Sequence, residues 1–500
     1  MDQLDHHPGA YPSHFSSDIF KSEEGKHKLA VFIHTLRSEY KLSVYRGQEG
    51  YKPIPAAFTP LTVQEKTWML IHKDSQHILS AMHKYALYLT KQEHKKIAEL
   101  LYNELSALEQ EAAYSKTRSR LGVATARLDL FFEGEELKVI EANTSIPAMQ
   151  AYSDMIVQSY LAIAPISSEF NKTPRNSLEL LQSLLSHYEK AGGQKKKPSV
   201  AIVSRVQDSQ QAELKYLQKI WQSEGHECFL LHPEQIKISE DGKTLVFEQS
   251  SAKLGKKESF SDRSITIDLV YRHIFASKLD PNSDFAKACL QSEVFHIFNP
   301  ISGHMEGKGF LAELLRSASD PHMVNEIQLN ADEERALSER CIWTRPLLNR
   351  EEKLPDGSFV KNLSDWVKAN RDHLVLKKHI SYGGQDIFLG KEFHSPASQE
   401  KAAAWLGLSA PISWSQLVDA CTSGCFGLWV VQVRLQGKQT KVSYIDPKGE
   451  PIWDQPCYID ASIFCNHGAD FHLQGGVSRF APGAIVNIVQ GGGLLPFLVS

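Results

Sequence analysis

LVLKKHISYGGQDIFLG, residues 374–390, opens on an apolar run, Leu374-Val375-Leu376, that ends in Lys377 and Lys378. A turn from Ser381 through Tyr382 to Gly383 and Gly384 follows, and a second apolar run closes at Gly390. The pattern predicts two strands joined by a glycine-rich turn. Glycines there let backbone N–H groups approach a polyphosphate with no Cβ in the way. A lysine leaving a strand end adds a point charge to the same oxygens. An ordinary solvent-exposed hairpin has the same local pattern, so the reading depends on what else the chain carries.

At 500 residues the chain is too long for one core and implies roughly two to four domains. Its apolar content of 42% and charged content of 23% are those of a soluble globular protein. A net charge of -4 gives no reason to expect a nucleic-acid partner. The seven cysteines are scattered with no CxxC pair, which argues against a zinc site or disulfide framework and for a reducing compartment. The N-terminal segment has no basic region followed by an apolar core. No apolar run approaches the ~20 residues that cross a bilayer, so no membrane partner and a cytoplasmic location are expected.

Residues 1 to 60 are polar and broken by prolines, with one helix expected near 24–40. From Thr62 to Ser115 the apolar spacing is helical, through Leu70, Leu79, Met82, Tyr85, Leu87, Leu101 and Leu105, and predicts a packing layer. The histidines in that stretch (His72, His77, His83, His94) sit on mixed faces and make no metal pattern.

ATARLDLFFEGEELKVIEANTSIPA, residues 124–148, predicts a hairpin: out along Arg127 to Phe132, turning at Gly134, back along Leu137 to Ile140. Glu141 and Asn143 are two apart and share a face of the returning strand, and Asp129 reaches that face if the hairpin pairs across Gly134. Two carboxylates and an amide oxygen form a hard-oxygen set suited to Mg²⁺. The same residues could face water on a solvated hairpin, but the apolar neighbours suggest a buried sheet, where unpaired acids are costly.

Helices are expected at 151–165 and 177–191, with a polar linker at Ser167–Asn176 between them. SVAIVSRV at 199–206, a helix at 209–224 and a strand at 227–232 begin a βαβ unit, continued by a hairpin at Asp241-Gly242 and a strand at 266–271. Arg205 and Arg272 stand at carboxyl ends of such strands and are candidates to hold a carboxylate or phosphate, or to be plain surface arginines. Lys308 begins a helical pattern, residues 325–372 read as charged and helical, and GLWVVQVRL at 427–435 is a strand expected to pair with 441–445. LLPFLVS is expected to be a last apolar strand.

Together, RLD…VIEANTSIPA, NPISGHMEGKGFLAELL and VLKKHISYGGQDIFLG resemble the ATP-grasp superfamily, in which a nucleotide lies between two antiparallel sheets under a glycine-rich loop. In ordinary members the acid/Asn motif follows the lysines; here it comes first. That order is similar to the circularly permuted ATP-grasp proteins related to carboxylate–amine ligases of the glutathionylspermidine synthetase type. The resemblance covers most of residues 120–150 and 195–500. It implies an α+β protein: an N-terminal mostly helical region (1–120), a permuted metal-binding half (121–165), a Rossmann-like α/β substrate domain (175–305) and the nucleotide-binding region (306–500).

By the same resemblance, Lys308 and Lys377 would touch ATP phosphates, with Ser381, Gly383 and Gly384 over them. The backbone of Gln432 and Val433 would meet the adenine edge. Asp129, Glu141 and Asn143 would hold Mg²⁺, with Arg127 beside the γ-phosphate. Arg479 would stabilise an oxyanion or a substrate carboxylate. The activity implied is an ADP-forming ligase that joins a small-molecule carboxylate to an amine through an acyl-phosphate. A nucleotide-binding module without catalysis and a small-molecule kinase are the alternatives. Two departures stand out: Lys378 replaces the family's proline, leaving open which lysine faces inward, and Val433-Arg434 replaces an acid at the hinge, for which Asp446 is the candidate substitute.

Overall fold

The structure, a computed structural model, describes residues 11–12, 20–115, 122–164, 173–249, 263–437, 439–466 and 474–500. Ser167 to Lys172 of the expected linker lie outside these residues. Helix and sheet are mixed throughout, and three of the sheets position the site.

The largest sheet has seven strands, in the order Thr440–Ile445, Ala56–Ala57, Gly493–Leu495, Gly476–Ala481, Pro451–Asn466, Thr125–Glu133 and Glu136–Asn143. The 124–148 hairpin is therefore its edge, folded about Gly134 at φ +63° as the sequence pattern requires. The second sheet is antiparallel, in the order Thr344–Pro346, Trp429–Val433, Leu374–Lys378, Ile387–Leu389, and contains the hairpin of the opening motif. The two sheets are tied side by side: Ile342 N–H donates to Val139 O at 3.1 Å, and Gln432 Nε2 to Ile140 O at 3.1 Å. The third is a parallel sheet in the order Ile297–Phe298, Leu269–His273, Val200–Ser204, Cys228–Leu231. Every residue of Val200–Ser204 is buried, as expected of a central strand covered on both faces.

The helix Glu65–Tyr88 buries Trp68, Ile71, Ser75, Ile78, Met82 and Tyr85 at three- and four-residue spacing, with Lys95–Tyr102 and Ala107–Tyr114 completing the expected layer. Leu70 and Leu87 do not join that stripe; they are 47% and 44% exposed. His72 is buried, and desolvation pushes its imidazole down to about 4. Among the described residues no three His, Cys, Asp or Glu side chains are grouped to hold a metal, and no helix is long and apolar enough to cross a membrane.

Four secondary-structure expectations change. Residues 266–271 are not one strand: Asp268 breaks the run because its carboxylate accepts Ser199 N–H at 2.8 Å and Ser199 Oγ–H at 2.9 Å. Arg263–Ile267 consequently joins a separate antiparallel sheet, and Leu269–His273 the parallel one. Trp429–Val433 does not pair with Thr440–Ile445. Trp429, Val430 and Val431 are buried between Thr344–Pro346 and Leu374–Lys378, while Thr440–Ile445 crosses to the seven-stranded sheet. The charged 325–372 segment is interrupted by strands, including the three-residue Thr344–Pro346; its proline sits at the strand end on a sheet edge, where a missing N–H is tolerated. Pro496 divides the final strand into Gly493–Leu495 and Phe497–Val499, which join different sheets.

Candidate functional site

The pairing of Thr125–Glu133 with Glu136–Asn143 sets Arg127 opposite Asn143 and Asp129 opposite Glu141. All four side chains thus share one face. A register shift just after Asp129 leaves Ile140 as an extra residue, so that Leu130 pairs with Val139 beyond it. On the next strand Ser462 faces Asp129, which brings Asp460 onto the same face one pair further along, and Arg479 lies directly across from Asp460. Four strands thus carry one polar row.

That face is a wall of a cavity of about 1000 Å³. All twelve expected site residues line it: Arg127, Asp129, Glu141, Asn143, Lys308, Lys377, Ser381, Gly383, Gly384, Gln432, Val433 and Arg479. The remaining walls come from the second sheet and from the carboxyl ends of the parallel strands, where open α/β sheets take ligands.

Charge in the row is tightly paired. Arg127 Nε donates to Asp129 Oδ1 at 2.6 Å and its Nη2 to Oδ2 at 3.2 Å; Arg479 Nη2 reaches the same Oδ2 at 2.8 Å. Asp460 Oδ2 accepts Arg479 Nε at 2.8 Å, and its Oδ1 accepts the Arg479 backbone N–H at 2.8 Å. Asp129, between two guanidinium groups, is held well below the usual carboxylate range despite its burial. Asp460 has one guanidinium and the Asp129 charge nearby, and burial pushes it up to about 6.

This pairing bears on Mg²⁺. Both oxygens of Asp129 are taken by guanidinium N–H groups, so Asp129 does not fit the expected ligand set. Glu141 and Asn143 do fit. Glu141 lies 3.9 Å from Lys308, and the Asn143 amide donates to Asp129 Oδ1 at 3.3 Å, leaving its carbonyl oxygen without a donor among the described residues. One carboxylate and one amide oxygen are enough for an ion that draws its other ligands from water and substrate phosphates.

Lys377, not Lys378, points inward: Lys377 is 6% exposed and Lys378 half-buried. Burial pushes the Lys377 ammonium down to about 8, against the pull of Glu141. Lys308 comes to the same wall through His379, whose carbonyl accepts Lys308 N–H at 3.1 Å and whose Nδ1 accepts Gly309 N–H at 2.9 Å. Its Nε2–H then donates to Leu101 O at 2.8 Å, which fixes the neutral tautomer, and burial lowers the ring to about 4. The glycines flanking Lys308 follow from this close approach, because a Cβ on Gly307 would fall inside the His379 ring and one on Gly309 against Leu428. Gly307→Ala is therefore expected to destabilise the fold by ~1–3 kcal/mol through overpacking, read by denaturant unfolding.

The glycine-rich turn lies across the cavity. Gly383 and Gly384 have φ of +71° and +73°, which only glycine adopts freely. Lys308 Nζ donates to Ser381 O at 2.7 Å, Gln490 Nε2 to Gly384 O at 2.9 Å, and Tyr382 Oη–H to Glu306 Oε1 at 3.0 Å. The Tyr382 ring meets Phe275 from the parallel-sheet side at 4.7 Å between centroids.

At the hinge, Val433 N–H is taken by Trp343 O at 3.0 Å, and the Gln432 side chain turns to Ile140 O and Thr344 Oγ1. The cavity wall continues through Leu435, Gln436 and Gly437. Arg434 forms a two-pronged ion pair with Glu392 at 2.5 and 2.6 Å. Asp446 does not replace the missing hinge acid; its carboxylate caps its own turn by accepting Lys448 and Glu450 N–H groups. Of the two arginines flagged at strand ends, Arg205 lines the cavity beside Asp208, whereas Arg272 is buried against the carbonyls of Asn299, Pro300 and Ile274.

Sequence reasoning missed Asp460, Glu306, His379 and Gln490. Glu306 had a local signal, lying two residues before Lys308 in GHMEGKG; its Oε2 accepts the N–H groups of Thr144 and Ser145 at 3.0 and 2.8 Å and holds the end of the Asn143 strand.

No protein-family model and no curated protein matches the chain. Among solved structures, a glutathione synthetase-like effector from Globodera pallida, determined in its apoform, superposes on 95% of this chain and 96% of its own, with 12% identity and a TM-score of 0.58. At that identity the likeness is one of fold. A putative gamma-glutamylcysteine synthetase from Methylobacillus flagellatus also aligns, over 84% of this chain and 87% of its own, at 10% identity and a TM-score of 0.36, too low to bear on the argument.

Proposed function

We propose that the chain is an ATP-dependent, ADP-forming ligase that joins a carboxylate to an amine. The observation that carries this reading is convergence. Glu141 and Asn143, Lys308 and Lys377 come from separate parts of the chain and meet on one cavity beneath a glycine-rich turn, with Lys308 3.9 Å from Glu141. The fold shared with a glutathione synthetase-like protein and the resemblance to circularly permuted ATP-grasp ligases support it.

In this reading Lys308 and Lys377 neutralise the nucleotide phosphates, and the N–H groups of Gly383 and Gly384 close over them. Glu141 and Asn143 would hold Mg²⁺, which when bound supplies charge neutralisation between phosphates. Arg127 and Arg479 lie on the same wall. Arg479 would stabilise an oxyanion or the substrate carboxylate, and Arg127, held by Asp129 and the Ala148 carbonyl, would lie beside the γ-phosphate. The substrate carboxylate attacks the γ-phosphorus and ADP leaves. The amine then attacks the acyl carbon of the acyl-phosphate, forming the amide and releasing phosphate and a proton. Such chemistry depends on positioning and electrostatics, with no protein nucleophile needed.

A binding module that keeps nucleotide without catalysis is the second reading. It is favoured by the occupation of Asp129 by two arginines, by the Arg434–Glu392 pair at the hinge, and by the description of the structural relative as an effector. A panel of carboxylates and amines, assayed for ADP release, separates the readings. ADP release that needs both partners supports the ligase, release with one acceptor and a phosphorylated product indicates a kinase, and binding without release indicates the module.

A further inference from the structure

Asp460 is fully buried in the middle of the seven-stranded sheet, and both of its carboxylate oxygens are committed to one residue. Oδ1 is fixed by the Arg479 main chain, so the carboxylate cannot rotate away, and Oδ2 takes the Nε edge of the guanidinium. The other end of the carboxylate's own residue is held as well, because Ser478 Oγ donates to Asp460 O at 2.6 Å. Asp129 receives Arg479 Nη2 at 2.8 Å. Arg479 is thereby gripped along Nε and Nη2, while Nη1 has no acceptor among the described residues and the side chain lines the cavity.

We propose that Asp460 is a positioning residue that aims the Nη1 edge of Arg479 at an anionic oxygen, of a phosphate or a carboxylate, bound in the cavity. This rests on the reading of the cavity as a ligand site. A lone arginine on a strand samples many rotamers, and a guanidinium fixed on two sides loses less freedom when it meets an anion. The arrangement also separates the roles of the two acids. Asp129 is shared between Arg127 and Arg479, whereas among the described residues the Asp460 carboxylate serves Arg479 alone. A purely structural ion pair would have no need to leave one edge of the guanidinium free toward the cavity.

The test uses full-length protein labelled with ¹⁵N in arginine, with the Arg479 side-chain signals assigned by Arg479→Lys. Wild-type protein should show separate, slowly exchanging Nη signals for Arg479 that shift on titration with inorganic phosphate or with acetate; the arm that responds identifies the source of the oxygen. In Asp460→Asn the Nη signals should merge and the affinity for that anion should fall about tenfold or more. Asp460→Glu keeps the charge but lengthens the arm, and it should also lose the anion response, which settles the matter if the asparagine variant does not fold. Fixed Nη signals and an unchanged anion response in either folded variant, or no response to either anion in the wild type, would overturn the proposal. A wild type that fails to bind Mg·ATP while Arg479 still responds in an Asp460-dependent way would remove the ligase reading and leave this one standing.

Discussion

Lys377→Met is expected to be more stable than the wild-type protein and to lose Mg·ATP. Lys377 is buried, its Nζ has no hydrogen-bond acceptor among the described residues, and desolvation brings its ammonium from 10.5 down to about 8. A base whose folded value is depressed binds fewer protons in the folded chain than in the unfolded one between those two values. Stability therefore rises with pH across that window, and below about 8 the full penalty is in place. A shift of this size corresponds to roughly 3 kcal/mol, the upper bound on what methionine restores at pH 7. The gain should fade as pH rises toward and past 10.5, above which the wild-type lysine is neutral in both states. The same substitution removes a desolvated cation from the part of the cavity where the proposed function puts the phosphates, so nucleotide affinity should fall about 100-fold or more, near 2.8 kcal/mol. Denaturant unfolding at pH 7 and pH 10 reads the first effect and titration of nucleotide the second. A variant less stable at pH 7 with unchanged affinity would place Lys377 in a structural role.

Arg479→Met is expected to act in the opposite direction. Among the described residues Arg479 is the sole guanidinium on Asp460 and one of two on Asp129, and all three side chains are buried. Its loss leaves Asp460 without its counter-charge, which costs ~3–5 kcal/mol for a buried pair broken on one side. The cost should depend on pH. Asp460 already titrates near 6 in the folded protein against an ordinary 3.8, so between those values the folded chain holds a proton that the unfolded chain has released, and stability falls as pH rises. Without Arg479, which lowers that value, the penalty should be largest above pH 6 and shrink toward pH 4. The double variant Arg479→Met, Asp460→Asn should recover part of the loss, because the orphaned charge is gone. Equal losses at both pH values, or no recovery in the double variant, would contradict this account of the network.

The parts of the site that were legible in the sequence are those fixed by local pattern. Alternation around Gly134 placed Asp129, Glu141 and Asn143 on one face, and the apolar run ending in two lysines placed the Lys377 hairpin. Which lysine faces inward was not legible, since neighbours on a strand point to opposite faces and only tertiary burial chooses between them. Long-range pairing was equally hidden. Trp429–Val433 has an apolar pattern that fits any central strand, and the partner it takes, Thr344–Pro346, is three residues long inside a charged segment. Asp268 reads as one polar residue in an apolar run until Ser199 is seen to donate to it twice. Asp129 shows the same gap at the level of chemistry. Its position on the face followed from spacing, but the two arginines that occupy it arrive from its own strand and from one 350 residues away.

The central claim is that Lys377, Lys308, Glu141 and Asn143 form one nucleotide site, and calorimetric titration of Mg·ATP into the full-length protein tests it most directly. Micromolar binding in the wild type, lost in both Lys377→Ala and Glu141→Ala, is the result expected. No binding by the intact, folded wild type, or binding that survives both substitutions, would contradict it.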